Sequence, residues 1–279
     1  MIKPKKSLGQ NFLTDKNILK KISVAINATS NDFVLEIGPG TGALTEFIIK
    51  SKPKKFVAVD VDERSIELLN EKYSISDYPF LEIIHSDIRK INFQELVSSA
   101  ECREVIVAGN IPYNISADIF FWVFSNRNII DKVILMIQKE VAQRINSKKG
   151  TKTYGILSVV LNYIGKSKIL FDVSPHCFYP KPKVTSSVIE LKFDKKVSDS
   201  DFKEFVALVK ACFGQRRKVL KNSLSTYLSD NNINSGELNS VILNKYFSKR
   251  AEELGVEDFV VMMNELRRLK EDLKIKNEE

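Results

Sequence analysis

Between the apolar run Val34-Leu35-Glu36-Ile37 and a following stretch of helical period stands Gly38-Pro39-Gly40-Thr41-Gly42-Ala43. No other feature limits the fold of this chain as narrowly. The spacing satisfies G-x-G-x-x-G/A in the context where that pattern has mechanical meaning, a strand that turns sharply into a helix. Glycine allows the tight turn and lets the backbone approach a ligand with no Cβ in the way. A second apolar run, Phe56–Val59, ends in Asp60, about twenty residues further on. A carboxylate there can accept hydrogen bonds from both hydroxyls of a ribose. The unit reads as half of a doubly wound sheet that binds a nucleoside cofactor. A tight βα turn without a ligand is the plain alternative, and the loop alone does not separate NAD from S-adenosylmethionine. Glu36 before the loop and Asp87 in "IIHSDIRK" lean towards S-adenosylmethionine. Asp87 can accept an adenine amino group, or it can be a cap or turn residue.

The same alternation continues. A third strand ends near His85, a fourth covers Val105–Ala108 and a fifth covers Val133–Ile137, each followed by a helical stretch. Short strands that are apolar on both faces and separated by helices form buried parallel sheets. After a helix in "YGILSVVLNYIGK" the pattern changes. "KSKILFDVSPHCFYPKPKVTSSVIELKF" holds two strands joined by a proline-rich loop with no helix, so the pair is antiparallel. The polar stretch Asp194 to Asp201 reads as a linker. Beyond it the period is helical, "FKEFVALVKACFGQRRKVLKNSLSTYL" included. The expected architecture is α/β, a mostly parallel seven-stranded sheet with an antiparallel last strand. A small all-helical domain follows, with the boundary at 1–197 and 198–279.

The fourth strand ends in Asn110-Ile111-Pro112-Tyr113. Ligands of open α/β sheets bind outside the carboxyl ends of the strands, so substrate should meet cofactor here. The segment resembles the signature of amino-methyltransferases that act on exocyclic amines of nucleobases. Adenine N6 is a weak nucleophile because its lone pair is delocalised into the ring. It needs acceptors for its hydrogens more than it needs a base. The Asn110 side-chain oxygen and a backbone carbonyl at Ile111 or Pro112 suit that role, Pro112 stiffens the segment, and Tyr113 offers a flat face for the base. A second aromatic, Phe178 or Tyr179, stands in the proline-rich loop and would complete a clamp around a flipped base. Ordinary loop packing is the other reading for Phe178.

Net charge is +8, which suits a polyanionic partner, although lysine is abundant along the whole chain. Two histidines do not supply a His-based metal centre or triad, and no metal is expected. Three unpaired-looking cysteines, Cys102, Cys177 and Cys212, suit a reducing cytoplasm. There is no apolar run of transmembrane length, so no membrane partner is expected.

"KKSLGQNFLTD", "VLEIGPGTGALT", "HSDIRKINF", "GNIPYNIS" and "FYPKPKVTSSVIEL" occur in this order. Together they resemble the 16S ribosomal RNA adenine N6,N6-dimethyltransferase family over essentially the whole chain. The resemblance implies a Rossmann-like methyltransferase sheet and S-adenosylmethionine as cofactor. It implies cofactor contacts at Asn11, Leu13, Gly38, Gly40, Asp60, Asp87 and Asn110, with Pro112, Tyr113 and Phe178 beside Asn110 at the target base. Many members carry Glu where this chain has the shorter Asp60. The implied substrate is a pair of adjacent adenines in a hairpin near the 3′ end of small-subunit RNA, within an assembling 30S particle, and the implied state is a monomer. Arg216, Arg217, Lys218 and Lys221, on an expected helix, resemble the family's RNA-contacting segment; a solvated basic face is the alternative. The related 23S RNA adenine methyltransferases of the antibiotic-resistance type share the Asn-x-Pro-Tyr-like motif, but the tail and "FYPKPKV" favour the small-subunit family.

Overall fold

A computed structural model describes residues 2–194, 197–231, 233 and 241–278. Part of the expected linker, Lys195-Lys196, lies outside the described residues. The chain divides into two compact units, residues 1–142 with 165–193, and residues 143–164 with 194–279.

The first unit is built on strands β1 (Phe12–Leu13), β2 (Phe33–Ile37), β3 (Lys55–Asp60), β4 (Leu81–His85), β5 (Val105–Asn110), β6 (Lys132–Gln138), β7 (Gly165–Val173), β8 (Phe178–Tyr179) and β9 (Ser186–Phe193). Seven of them form one sheet in the order β4-β3-β2-β5-β6-β9-β7. Neighbours from β4 to β6 are parallel, and β9 runs antiparallel to both β6 and β7. All five residues of β2 are buried, as are the first five of β5. That is why these strands show unbroken apolar runs rather than alternation. Each fully buried Phe of the sheet, Phe33 in β2 and Phe56 in β3 for example, contributes about 1.5–3 kcal/mol of transfer free energy. Among the described residues no helix is long and apolar enough to cross a membrane.

The strand order reverses between β2 and β5, so the loops after these two strands open on one crevice. Their backbones approach closely where pairing ends. A Cβ placed on Gly109 would collide with the Ile37 carbonyl oxygen. This contact brings Gly38 and Asn110 together at the mouth of the sheet. A separate two-stranded sheet pairs Phe12 with Tyr179 and Leu13 with Phe178. Two-residue strands leave no periodic signal in a sequence, and this pair was not expected.

In the second unit the helix Asp199–Gly214 starts at Ser198, whose hydroxyl accepts the Asp201 N–H. Tyr163 stacks on Phe205 at 3.8 Å between ring centroids, and Arg267 donates to both Asp201 and Glu204. The division differs from the expected boundary in two places, falling at 193/194 rather than 197/198 and moving one earlier segment. Residues 143–164 pack with the C-terminal helices, because the helix Ile156–Ile164 buries Leu157, Val159, Val160, Leu161 and Ile164 and presents Tyr163 to Phe205. The basic segment also differs. The helix ends at Gly214, so Arg216, Arg217 and Lys218 lie in a turn, and only Lys221 is in the short helix Leu220–Ser223.

Gly109→Ala should force the β2 and β5 backbones apart and destabilise the protein by about 1–3 kcal/mol. Denaturant unfolding would detect this, and an unchanged midpoint would show that the close approach is not needed.

Candidate active site

Gly38 and Gly40 turn with positive φ (69° and 55°), and the Gly38 N–H donates to the Val59 carbonyl at 2.9 Å. The loop therefore closes onto the end of β3. There the Asp60 carboxylate accepts the Gly40 N–H at 3.1 Å and the Asp62 N–H at 2.9 Å. Asp60 is only 8% exposed. Burial pushes its pKa up and the Asp62 charge adds to this, against backbone N–H groups at Asp62, Gly40 and Val61. Glu36, fully buried beneath the loop, accepts the Thr45 hydroxyl at 2.7 Å. Burial carries its carboxyl up to about 8, with the Thr45 bond opposing and the Asp60 charge assisting. One shorter side chain thus holds the loop by its backbone, and a neutral carboxyl sits behind it.

A hollow at this point is lined by Leu8–Phe12, Gly38, Gly40, Asp60, Val61 and Asn110–Tyr113. A second, of about 200 Å³, shares Leu8, Gly38, Asp60, Val61 and Pro112 with it and extends to Asp87, Ile88, Arg89 and Ile119. Asp87 caps the turn Ile88–Lys90 through the Arg89 N–H, and the Arg89 guanidinium chelates its carboxylate at 2.6–3.1 Å. That guanidinium holds the Asp87 carboxyl below the usual carboxylate range. Arg89 also donates to Asp118 on the helix Ser116–Ser125. Asp87 is therefore a cap and a member of the hollow at once.

Asn110 is fixed by its nitrogen. The Nδ2 group donates to the Asn11 carbonyl at 2.9 Å, so Oδ1 is the atom left to accept. Tyr113 lines the same hollow, half-buried, with its hydroxyl 2.7 Å from Ser186 Oγ. Burial raises the Tyr113 pKa, opposed by that bond, so the ring is a neutral surface at physiological pH.

Two expected members stand elsewhere. Phe178 is 5% exposed and belongs to the apolar cluster with Leu13, Val173 and Val188; it does not line either hollow. Leu13 is likewise buried in that cluster. Tyr179 is 62% exposed. Tyr113 is thus the aromatic of Asn110-Ile111-Pro112-Tyr113 and the proline-rich loop that lines the hollow. The sequence reading missed Gln10, which lines the hollow and donates to Asp62 at 2.8 Å. It also missed the role of Arg216, which donates to Glu252 at 2.8 Å and to the Lys152 carbonyl at 2.7 Å. Arg217, Lys218 and Lys221 are exposed.

A seven-stranded sheet of this order, with a glycine loop after β2, a buried acid at the end of β3 and Asn-Ile-Pro-Tyr at the end of β5, defines a Rossmann-like methyltransferase. The sequence pattern of the family described as ribosomal RNA adenine dimethylase matches residues 1–267. Proteins named ribosomal RNA small subunit methyltransferase A are similar along nearly the whole length. The one from Bacteroides thetaiotaomicron is 41% identical, with 95% of each chain covered, and the one from Wigglesworthia glossinidia brevipalpis is 40% identical, with 95% of this chain and 98% of that protein covered. Among solved structures, a dimethyladenosine transferase from Plasmodium falciparum superposes with a TM-score of 0.75 at 27% identity, covering 92% of this chain and 98% of that one. The chain belongs to the ribosomal RNA adenine dimethylase family.

The Glu36 carboxyl yields a pH prediction. Its folded pKa, about 8, lies above the unfolded carboxylate value, so the folded state binds this proton more tightly. The stability this contributes is complete below the unfolded pKa and is lost as pH rises towards 8. Glu36→Gln should flatten the fall in unfolding free energy over that window, leaving the smaller slope of the same sign from Asp60. Unfolding curves at a series of pH values test it, and parallel curves for the two proteins would refute it.

Proposed function

We propose that this enzyme transfers methyl groups from S-adenosylmethionine to the N6 amines of two adjacent adenines in a hairpin near the 3′ end of small-subunit ribosomal RNA. Its substrate would be an assembling 30S particle in the cytoplasm, met by the enzyme as a monomer. The observation that carries the reading is the Asn110 amide, whose nitrogen is engaged by the Asn11 carbonyl and whose oxygen remains to accept. An exocyclic amine presents hydrogens, so an amide oxygen left to accept has the right polarity for that substrate.

The residues around the hollow fit the cofactor. Gly38 and Gly40 line it without side chains, and each Asp60 oxygen holds one backbone N–H while retaining acceptor capacity for a ribose hydroxyl. Asp87 lines the adjoining hollow as an ionised acceptor suited to an adenine amino group. When bound, S-adenosylmethionine supplies an electrophilic methyl on a sulfonium. The chain's part is to position. Asn110 Oδ1 and a carbonyl of the stiff Ile111-Pro112 segment would hold the amine hydrogens and turn the nitrogen lone pair out of conjugation. The neutral Tyr113 ring would carry the base. The proton lost after transfer needs no strong base, because the methylated amine is cationic. A monomethylated amine keeps one hydrogen, so a single acceptor serves the second round. On the RNA side, the exposed Arg217, Lys218 and Lys221 are the cations offered to phosphates.

Incubation of labelled S-adenosylmethionine with unmethylated small subunits, followed by mapping of the modified nucleosides, tests the reading. Label in N6,N6-dimethyladenine at two adjacent positions is expected, and cofactor binding without adenine methylation would reduce the chain to a binding factor. In single turnover at saturating cofactor, Asn110→Ala should slow methylation by roughly 10²–10³-fold, with Tyr113→Phe much milder than Tyr113→Ala. A wild-type rate in folded Asn110→Ala would leave the segment a turn.

Joint replacement of Arg217, Lys218 and Lys221 by Ala should weaken subunit binding and flatten its salt dependence by roughly 0.7–0.9 log units of slope per lost phosphate contact. Arg216→Ala should act on thermal stability instead. An unaltered salt slope in the triple variant would mark a merely solvated face.

A further inference from the structure

Asp62 occupies the position before the helix Glu63–Lys72, where an aspartate ordinarily accepts N–H groups of its own helix. Its side chain makes no such bond. The carboxylate, 1% exposed, is instead turned to the N-terminal segment. Gln10 Nε2 donates to Oδ2 at 2.8 Å, Lys5 Nζ stands 3.7 Å from Oδ1, and Arg64 grips both oxygens at 2.6 and 2.9 Å. Arg64 also reaches past Asp62 to the Lys3 carbonyl at 2.9 Å. Within the segment, the Lys5 N–H donates to Gln10 Oε1, and the Lys5 carbonyl accepts the N–H groups of Leu8 and Gln10.

Resting on the function proposed above, we infer that Asp62 is a positioning residue for methyl transfer. Its carboxylate latches Lys3–Phe12 across the cofactor hollow and so aims Asn110. The route is short at both ends. The backbone N–H of Asp62 donates to Asp60, the ribose acid. One residue beyond latched Gln10, the Asn11 carbonyl holds the Asn110 amide. One residue further, the Phe12 ring lies so close to Gly40 that a Cβ there would fall 2.8 Å from it. A single buried carboxylate therefore joins the cofactor side of the site to the target side without touching either ligand. Arg64 keeps that carboxylate charged, holding its pKa well below the usual carboxylate range.

The test compares Asp62→Asn and Gln10→Ala with wild type in four measurements: affinity for S-adenosylmethionine by calorimetry, single-turnover methylation at saturating cofactor, amide exchange of residues 3–12, and melting temperature. Asp62→Asn should weaken cofactor affinity about tenfold, the size expected for charged hydrogen bonds lost. It should also slow turnover at saturation and speed exchange in residues 3–12. Gln10→Ala should do the same to a lesser degree, with melting temperature nearly unchanged, and it keeps the test open should Asp62→Asn not fold. Faster exchange with wild-type affinity and rate, or a lowered melting temperature alone, would make Asp62 a structural ion pair and overturn the inference. If wild type binds S-adenosylmethionine but methylates no adenine, the function proposed above fails instead, and the affinity and exchange data still decide the latch.

Discussion

The whole site hangs on the approach of two backbones. Where β2 and β5 leave the sheet, the Ile37 carbonyl occupies the space that any side chain at 109 would need. Glycine is required there for proximity rather than for an unusual backbone angle. Because the strand order reverses between these strands, the approach sets the glycine loop beside Asn110. Everything chemical follows from that adjacency. The loop presents bare backbone, β3 brings Asp60 to clasp it, and β5 delivers an amide whose nitrogen is already spent.

The electrostatics divide by partner. Glu36, sealed under the loop, is held neutral by burial, whereas Asp62, equally hidden, is held ionised by Arg64. The difference lies in the partner: a hydroxyl can stabilise either protonation state, but a guanidinium stabilises only the charged one. Two buried carboxyls thus serve unlike ends, one packing beside the glycine loop and one holding a segment by charge.

Features carried by local spacing were legible in the sequence. The glycine loop, Asp60, Asn110 and the antiparallel hairpin each declare themselves within a few residues. Those that depend on pairing across the chain were not. Gln10 meets Asp62 from 52 positions away, and Arg216 finds Glu252 from 36. A run of basic residues gives no sign that its first member is consumed internally. Phe178 and Leu13 were expected at the ligand because their motifs suggested it, yet their mutual pairing in two-residue strands buries both. The helix through Gly214 was over-extended, although a glycine ahead of two arginines was a visible stop signal.

The strap has a practical side. Lys3 and Lys5 are tied to Arg64 and Asp62, and from there the chain runs in a few residues to the atom that grips Asn110. A disturbance at Lys3 or Lys5 is therefore separated from the Asn110 amide by only a few residues of chain. A lysine-directed reagent would meet this strap at Lys5, whose ammonium stands beside Asp62 with half of its side chain open to solvent.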